Sequence, residues 1–279
     1  MKLRKSSLLL VAALLMVPCM ALCRHYTPRG KKQRTERVLS AASSSTVTGQ
    51  GIASPLLKVG VPASVPNERL DYEAMIVYFN PRYHVPNCVI YDYTATLAAM
   101  SDAPGAEKRK NYKFNPDPNC SSSPDWGDYR GSGYDRGHMA PAMDMKWSPV
   151  SMTQCFYMTN MCPQEHGLNS GCWRTLEQTV HRWTKRYKRL IIATGPVLGN
   201  GMTMIGPRRN IAVPKAFFKA IYAPAQGRTI AFLFNNVRTT GGIKDHVVSV
   251  SYVERVTGLT LFPGVSASIK SKSDYNQWK

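Results

Sequence analysis

Residues 129–145 read YRGSGYDRGHMAPAMDM. His138 closes a run of Asp135, Arg136 and Gly137, and Gly131 and Gly133 stand just upstream. Glycine tolerates backbone angles that other residues avoid and lets a chain approach a ligand closely. A histidine carried on such a loop titrates near neutral pH, which suits a general base. Taken alone, a glycine-rich stretch with one histidine is usually just a loop. Its meaning depends on the residues downstream of it.

Downstream, residues 156–177 read FYMTNMCPQEHGLNSGCWRTLE, with Asn160, Gln164, Asn169 and Glu177. From Leu168 to Lys188 apolar residues recur at Leu168, Cys172, Leu176, Val180, Trp183 and Tyr187. That three- and four-residue spacing predicts an amphipathic helix. Asn169 falls at its expected start, where asparagine commonly caps free backbone N–H groups. Its side-chain oxygen is equally a hard ligand suited to Mg²⁺, which keeps most of its waters and takes few protein oxygens. Glu177 lies eight residues on, about 80° around the axis, so it can share a side with Asn169. The plain alternative for Glu177 is an exposed helix carboxylate near an arginine.

Further out, AMIVYFN and CVIYDYTATL are β-rich runs separated by Asn80, Pro81, Pro86 and Asn87, and they read as paired strands. Residues 101–133 are rich in Pro, Gly, Asp, Asn and Ser and read as long loops. FYMTNM, RLIIATGPVLG, IAVPKAFFKAIYA and TIAFLFNNV supply further strand candidates, and HVVSVSYVERVTGL a strand and then a short helix. Strands, long loops, one strong helix and strands again predict an α+β domain with a largely antiparallel sheet. It is expected over residues 68–279, behind a basic, Ser/Thr-rich flexible segment over 24–67.

DRGH, then Asn, Pro-Gln, Asn, a Trp and Leu-Glu in that order resemble the DNA/RNA non-specific endonucleases. YRGSGYDRGH is similar to the endonuclease G version of the motif, and ATGPV, VPKAFFKAI and ERVTGL extend the likeness from about Leu70 to Phe262. The resemblance implies a ββα-metal (His-Me finger) fold and phosphodiester cleavage in DNA and RNA without strong sequence preference, leaving 5′-phosphate ends. It implies His138 as the base that activates water, Asn169 as the direct protein ligand of a hydrated Mg²⁺ (Mn²⁺ being a substitute), and Glu177 as the organiser of the metal's waters. Asn160 would orient the phosphate or the water. Asp135 and Arg136 would shape the loop and steady the site, with Asp135, Arg130 and Gln164 toward the substrate. The family also sets an upstream arginine against the phosphate; in KRKNYKFNPD that is Arg109, with Lys110 aligning about as well. A homodimer is left open.

The charge agrees with a polyanionic substrate. Lys and Arg number 36 against 17 Asp and Glu, a formal +19, although composition alone does not separate nucleic acid from anionic membrane or polysaccharide. Residues 1–23 read as a signal peptide: Lys2, Arg4 and Lys5 precede the apolar run Leu8–Met16, which is too short to span a bilayer. A secreted or periplasmic protein is therefore expected, with lipid anchoring at Cys19 or Cys23 as the alternative. No later stretch is long and apolar enough to cross a membrane. Export would place Cys88, Cys120, Cys155, Cys162 and Cys172 under oxidising conditions, where one or two disulfides are expected and one thiol is left over. Cys155, Cys162, His166 and Cys172 also raise zinc, but their spacing lacks the short pairs of such sites. A protein that only holds nucleic acid would not need His138, Asn169 and Glu177 together.

Overall fold

A computed structural model describes residues 54–208 and 210–278. The leader expected over residues 1–23 and most of the flexible segment lie outside the described residues. The segment's end is a correction. Residues 54–67 fall within the stretch expected to be flexible, yet Leu57 and Val59 are buried. Gly60 exchanges backbone hydrogen bonds with Thr260, and the Val59 amide donates to the Tyr78 hydroxyl at 3.0 Å. Two apolar side chains amid Ser and Pro show no periodicity, so only the surface they cover reveals their role.

The main sheet has seven strands: β1 Glu68–Asp71, β2 Ile76–Asn80, β3 Val85–Thr94, β6 Arg189–Val197, β9 Ala216–Ala223, β10 Arg228–Asn235 and β11 Val247–Val248, in that spatial order. Every neighbouring pair is antiparallel. Side chains alternate between two apolar layers, as a period of two requires. Val77, Phe79, Ile192, Phe217, Ile221 and Phe232 face one layer, and Ile76, Tyr78, Ile191, Phe218, Ala220 and Ala231 face the other. Burial on both faces explains why these runs read as almost continuously hydrophobic.

The first layer is closed by helix α1 Ala95–Asp102, helix α2 Pro149–Cys155 and the long helix α3 Arg174–Tyr187, whose Leu176, Val180 and Trp183 stripe packs on the sheet together with Trp173 just before it. The second is closed by helix α4 Val250–Thr257 through Val250 and Val253. Between α1 and α3 the chain forms a two-stranded ribbon, β4 Asp135–His138 with β5 Met161–Gln164, antiparallel, His138 opposite Met161 and Asp135 opposite Gln164. A small pair, β7 Met204–Ile205 with β8 Ile211–Ala212, completes the set. The FYMTNM strand candidate is corrected: residues 158–160 form a 3-10 turn, and extended structure begins at Met161. No helix among the described residues is long and apolar enough to cross a membrane. All five described cysteines are free and buried, so the expected disulfides are corrected as well.

Candidate active site

The site is built on β4, β5 and the start of α3. β4 is the DRGH segment itself, a strand of only four residues. Gly137 is required there because its backbone lies against Gln164: a Cβ would sit 2.2 Å from the Gln164 Oε1. Gln164 is fully buried, so its expected contact with substrate is corrected. The ribbon pairing turns it inward, beneath the strand that carries His138.

His138 lies between two aromatic rings, Phe156 edge-on at 4.9 Å and Phe114 at 5.4 Å between centroids. Its Nε2 is buried without a partner. Burial first, and then the nearby Arg109 charge, lower its pKa to about 3, so the imidazole is neutral at physiological pH. Arg109 is exposed and holds its guanidinium 5.3 Å from the Phe156 ring centre. The upstream arginine and the histidine thus share one aromatic support. Arg136 lies 4.7 Å over Phe114, on the other ring beside His138.

Asn160 is also corrected. It is fully buried, and its amide is spent on backbone: Oδ1 accepts from the Ala140 N–H at 2.9 Å, and Nδ2 donates to the Ala140 and Cys155 carbonyls at 2.9 and 2.8 Å. It pins the chain two residues beyond His138 and does not reach a substrate.

Asn169 does not cap the helix. The cap ahead of it belongs to the short turn His166–Leu168, where Glu165 accepts from the Leu168 N–H at 2.7 Å. Asn169 opens a π turn, Asn169–Trp173, with Gly171 out of helical geometry at φ −102°, ψ −112°. Such turns recur at functional sites because they re-aim one side chain. Here the Asn169 Nδ2 donates to the Asp135 carboxylate at 2.8 Å. The same carboxylate oxygen is 2.9 Å from the His166 Nδ1. With its nitrogen committed, Asn169 keeps its oxygen free for a hard cation, and the donor chemistry fits a hydrated divalent ion. Asp135 therefore orients the Asn169 amide.

Glu177 departs from the exposed-carboxylate alternative. Burial pushes its carboxyl up to about 8; Lys219 opposes that shift and Asp144 adds to it. Lys219 is the residue that reading the sequence missed. It is 1% exposed, projects from β9 into the layer beneath α3, lies 4.9 Å over Trp173, and donates to the Met139 carbonyl at 3.3 Å. Burial lowers its pKa, while Glu177 and Asp144 raise it. The signal was present in VPKAFFKAI: a lysine at an inward position of an otherwise apolar strand. Arg130 stands apart from His138, with its guanidinium 5.1 Å over Trp126.

Residues 52–268 match the DNA/RNA non-specific endonuclease family. The chain belongs to that family. It is 33% identical to Nuclease 1, mitochondrial, of Schizosaccharomyces pombe over 238 residues, 76% of this chain and 71% of that protein. It is 34% identical to the mitochondrial nuclease of Saccharomyces cerevisiae over 241 residues, 78% of this chain and 72% of that one. A crystal structure of an EndoG/EndoGI complex, described as showing the mechanism of EndoG inhibition, superposes with a TM-score of 0.67 at 28% identity, covering 74% of this chain and 91% of that chain. The fold is that of the ββα-metal nucleases, with β4, β5 and α3 as the ββα unit.

These family members correct the expected localisation. Both yeast proteins are named as mitochondrial nucleases, which overturns the secreted or periplasmic reading and with it the export signal. A basic segment with few acids and several serines serves a mitochondrial address as readily as a secretory one.

Proposed function

We propose that this protein is a divalent-metal-dependent endonuclease that hydrolyses phosphodiester bonds in DNA and RNA, with His138 as general base. The observation that carries this reading is one constellation on the ββα unit. A neutral His138 and an exposed Arg109 share the Phe156 ring, and Asn169 is aimed by Asp135 with its oxygen free.

With Nε2 enclosed, proton uptake falls to Nδ1 of His138. That nitrogen takes a proton from the attacking water as it adds in line to phosphorus. A base held near pKa 3 accepts a proton reluctantly, and Arg109 is part of the cause. A phosphate seated against Arg109 neutralises that charge and raises the basicity of His138 when the substrate is in place. Arg109 then stabilises charge building on the phosphate, and Arg136 adds a second cation on the Phe114 side.

Asn169 is the residue that would hold a divalent ion, Mg²⁺ with Mn²⁺ as a substitute, and Glu177 would face its outer shell. When bound, such an ion neutralises charge on the phosphate and on the departing 3′ oxygen. Asp135 keeps Asn169 oriented, while Asn160 and Lys219 fix the peptide unit that joins Met139 to Ala140.

The deciding experiment is digestion of circular DNA and of RNA with Mg²⁺, with Mn²⁺ and with chelator, by the native chain and by His138→Ala. Opening of the circle, loss in chelator and loss in the variant are expected. Undiminished cleavage by His138→Ala would remove that residue from the chemistry.

A further inference from the structure

Large aromatic side chains are normally turned inward, so one held outward beside a catalytic loop calls for a reason. Trp126 is 42% exposed. It opens a 3-10 turn, Trp126–Tyr129, whose N-terminal end is locked by a capping box. The Asp125 Oδ1 accepts from the Gly127 N–H at 2.7 Å, and the Asp128 Oδ2 accepts from the Asp125 N–H at 2.9 Å. Tyr129, three residues on, is buried and anchors the turn. Both aspartates are thus engaged with backbone, and the indole is presented on a rigid base.

Its surroundings are cationic. The Arg130 guanidinium lies 5.1 Å over the indole. Arg136 donates to the Trp126 carbonyl at 3.4 Å, and its Nε has no partner. The same Arg136 rests on Phe114, which touches His138. Contacts therefore run from the Trp126 backbone carbonyl through Arg136 and Phe114 to the proposed base. An aromatic face beside arginines that can hold a phosphate is the arrangement that binds a single strand, because every base has a π-face and stacking is tolerant of sequence. Bases in a duplex are already stacked on each other, and extruding one costs a few kcal/mol.

We propose that Trp126, with Arg130, forms a stacking platform for an unpaired base of the strand being cut, so that single-stranded or frayed nucleic acid is held more tightly than intact duplex. This rests on the proposed nuclease activity. A comparable pair, Tyr252 with Arg255 at 4.9 Å, lies on α4 across the sheet and serves as the control.

The test uses the full chain carrying His138→Ala, so that binding is read without cleavage. Probes are a short labelled DNA strand, the same strand with abasic sites, and the matching duplex. Trp126→Ala is expected to weaken binding of the base-bearing strand about tenfold, in line with the worth of one stacked base, and to leave the abasic strand and the duplex nearly unchanged. Trp126→Phe should keep most of the affinity, and Tyr252→Ala should change nothing. Quenching of tryptophan fluorescence by the base-bearing strand should shrink in Trp126→Phe. Equal weakening on the abasic strand, or none on any probe, overturns the platform while leaving the nuclease reading intact. Failure of the parent to bind any nucleic acid, with no cleavage by the native chain, overturns both.

Discussion

His138 carries the largest consequences at the scale of one residue. Burial and Arg109 lower its pKa to about 3, against about 6.5 in an unfolded chain. Between those values the unfolded state binds a proton that the folded state refuses. Stability therefore falls as pH drops through that window, by about 1.4 kcal/mol per pH unit. His138→Asn removes this difference. Urea titrations of native and variant at pH 7 and pH 5 should show a loss on acidification that is about 2 kcal/mol smaller in the variant; equal losses would mean the imidazole titrates normally. For activity, His138→Ala should lower the cleavage rate by roughly 10²-fold or more while DNA binding persists. Asn169→Ala should behave differently. It leaves Asp135 and His166 in place and removes the one free amide oxygen, so activity should fall while the Mg²⁺ concentration needed for half-maximal rate rises. A fall in rate with unchanged Mg²⁺ dependence would mean that Asn169 is not the metal's ligand.

Elements meet at Lys219. It ties β9 to the carbonyl just past β4 and faces Glu177 on α3. Lys219→Met keeps the stem and deletes the charge, leaving Glu177 without the cation that opposes its burial and the Met139 carbonyl without its donor, while Asp144 keeps His181 at 3.1 Å. The expected cost is about 3 kcal/mol in chemical denaturation. Adding Glu177→Gln should recover part of it, because the two changes act on one interaction; strict additivity would show that the pair is not coupled. This contact also marks where reading the sequence stops. The long strands and α3 are legible because burial on both faces and a 3.6-residue stripe write themselves into composition and spacing. The motif residues are legible as a set, through resemblance. β4 is not legible as a strand, since four residues of Asp, Arg, Gly and His carry no alternation, and only pairing with β5 makes them extended. Asn160 and Gln164 read as facing the substrate because an amide in a motif looks the same whether it binds a ligand or a backbone. Both are completely buried; the Asn160 amide is spent on backbone, while that of Gln164 has no hydrogen-bond partner. Asn169 reads as a metal ligand or a cap, and the π turn that re-aims it depends on Gly171 leaving helical geometry, which no propensity announces.

The whole molecule contributes its charge. A formal +19 exceeds what one site needs and acts at a distance on any polyanion. Binding through phosphates releases condensed counterions, so affinity must fall linearly on a log–log plot as salt rises. Cleavage of DNA at low substrate should drop at least about tenfold between 50 and 200 mM salt, and the drop should appear in KM more than in kcat. A salt-independent KM would mean that the surface charge does not meet the substrate. The proposed arrangement also predicts the ends of the products. In the proposed mechanism His138 activates water, and none of the chemistry proposed for Arg109 or Asn169 calls for a ribose 2′-hydroxyl. RNA and DNA should both be cut internally and both carry 5′-phosphates, because phosphate contacts position a strand without reading its sugar or its sequence. End-group analysis of RNA fragments separates the two possible nucleophiles. Water attack leaves fragments with 5′-phosphate and 3′-hydroxyl ends. Fragments ending in 2′,3′-cyclic phosphate would make the 2′-hydroxyl the nucleophile, leave His138 activating the wrong oxygen, and confine the enzyme to RNA.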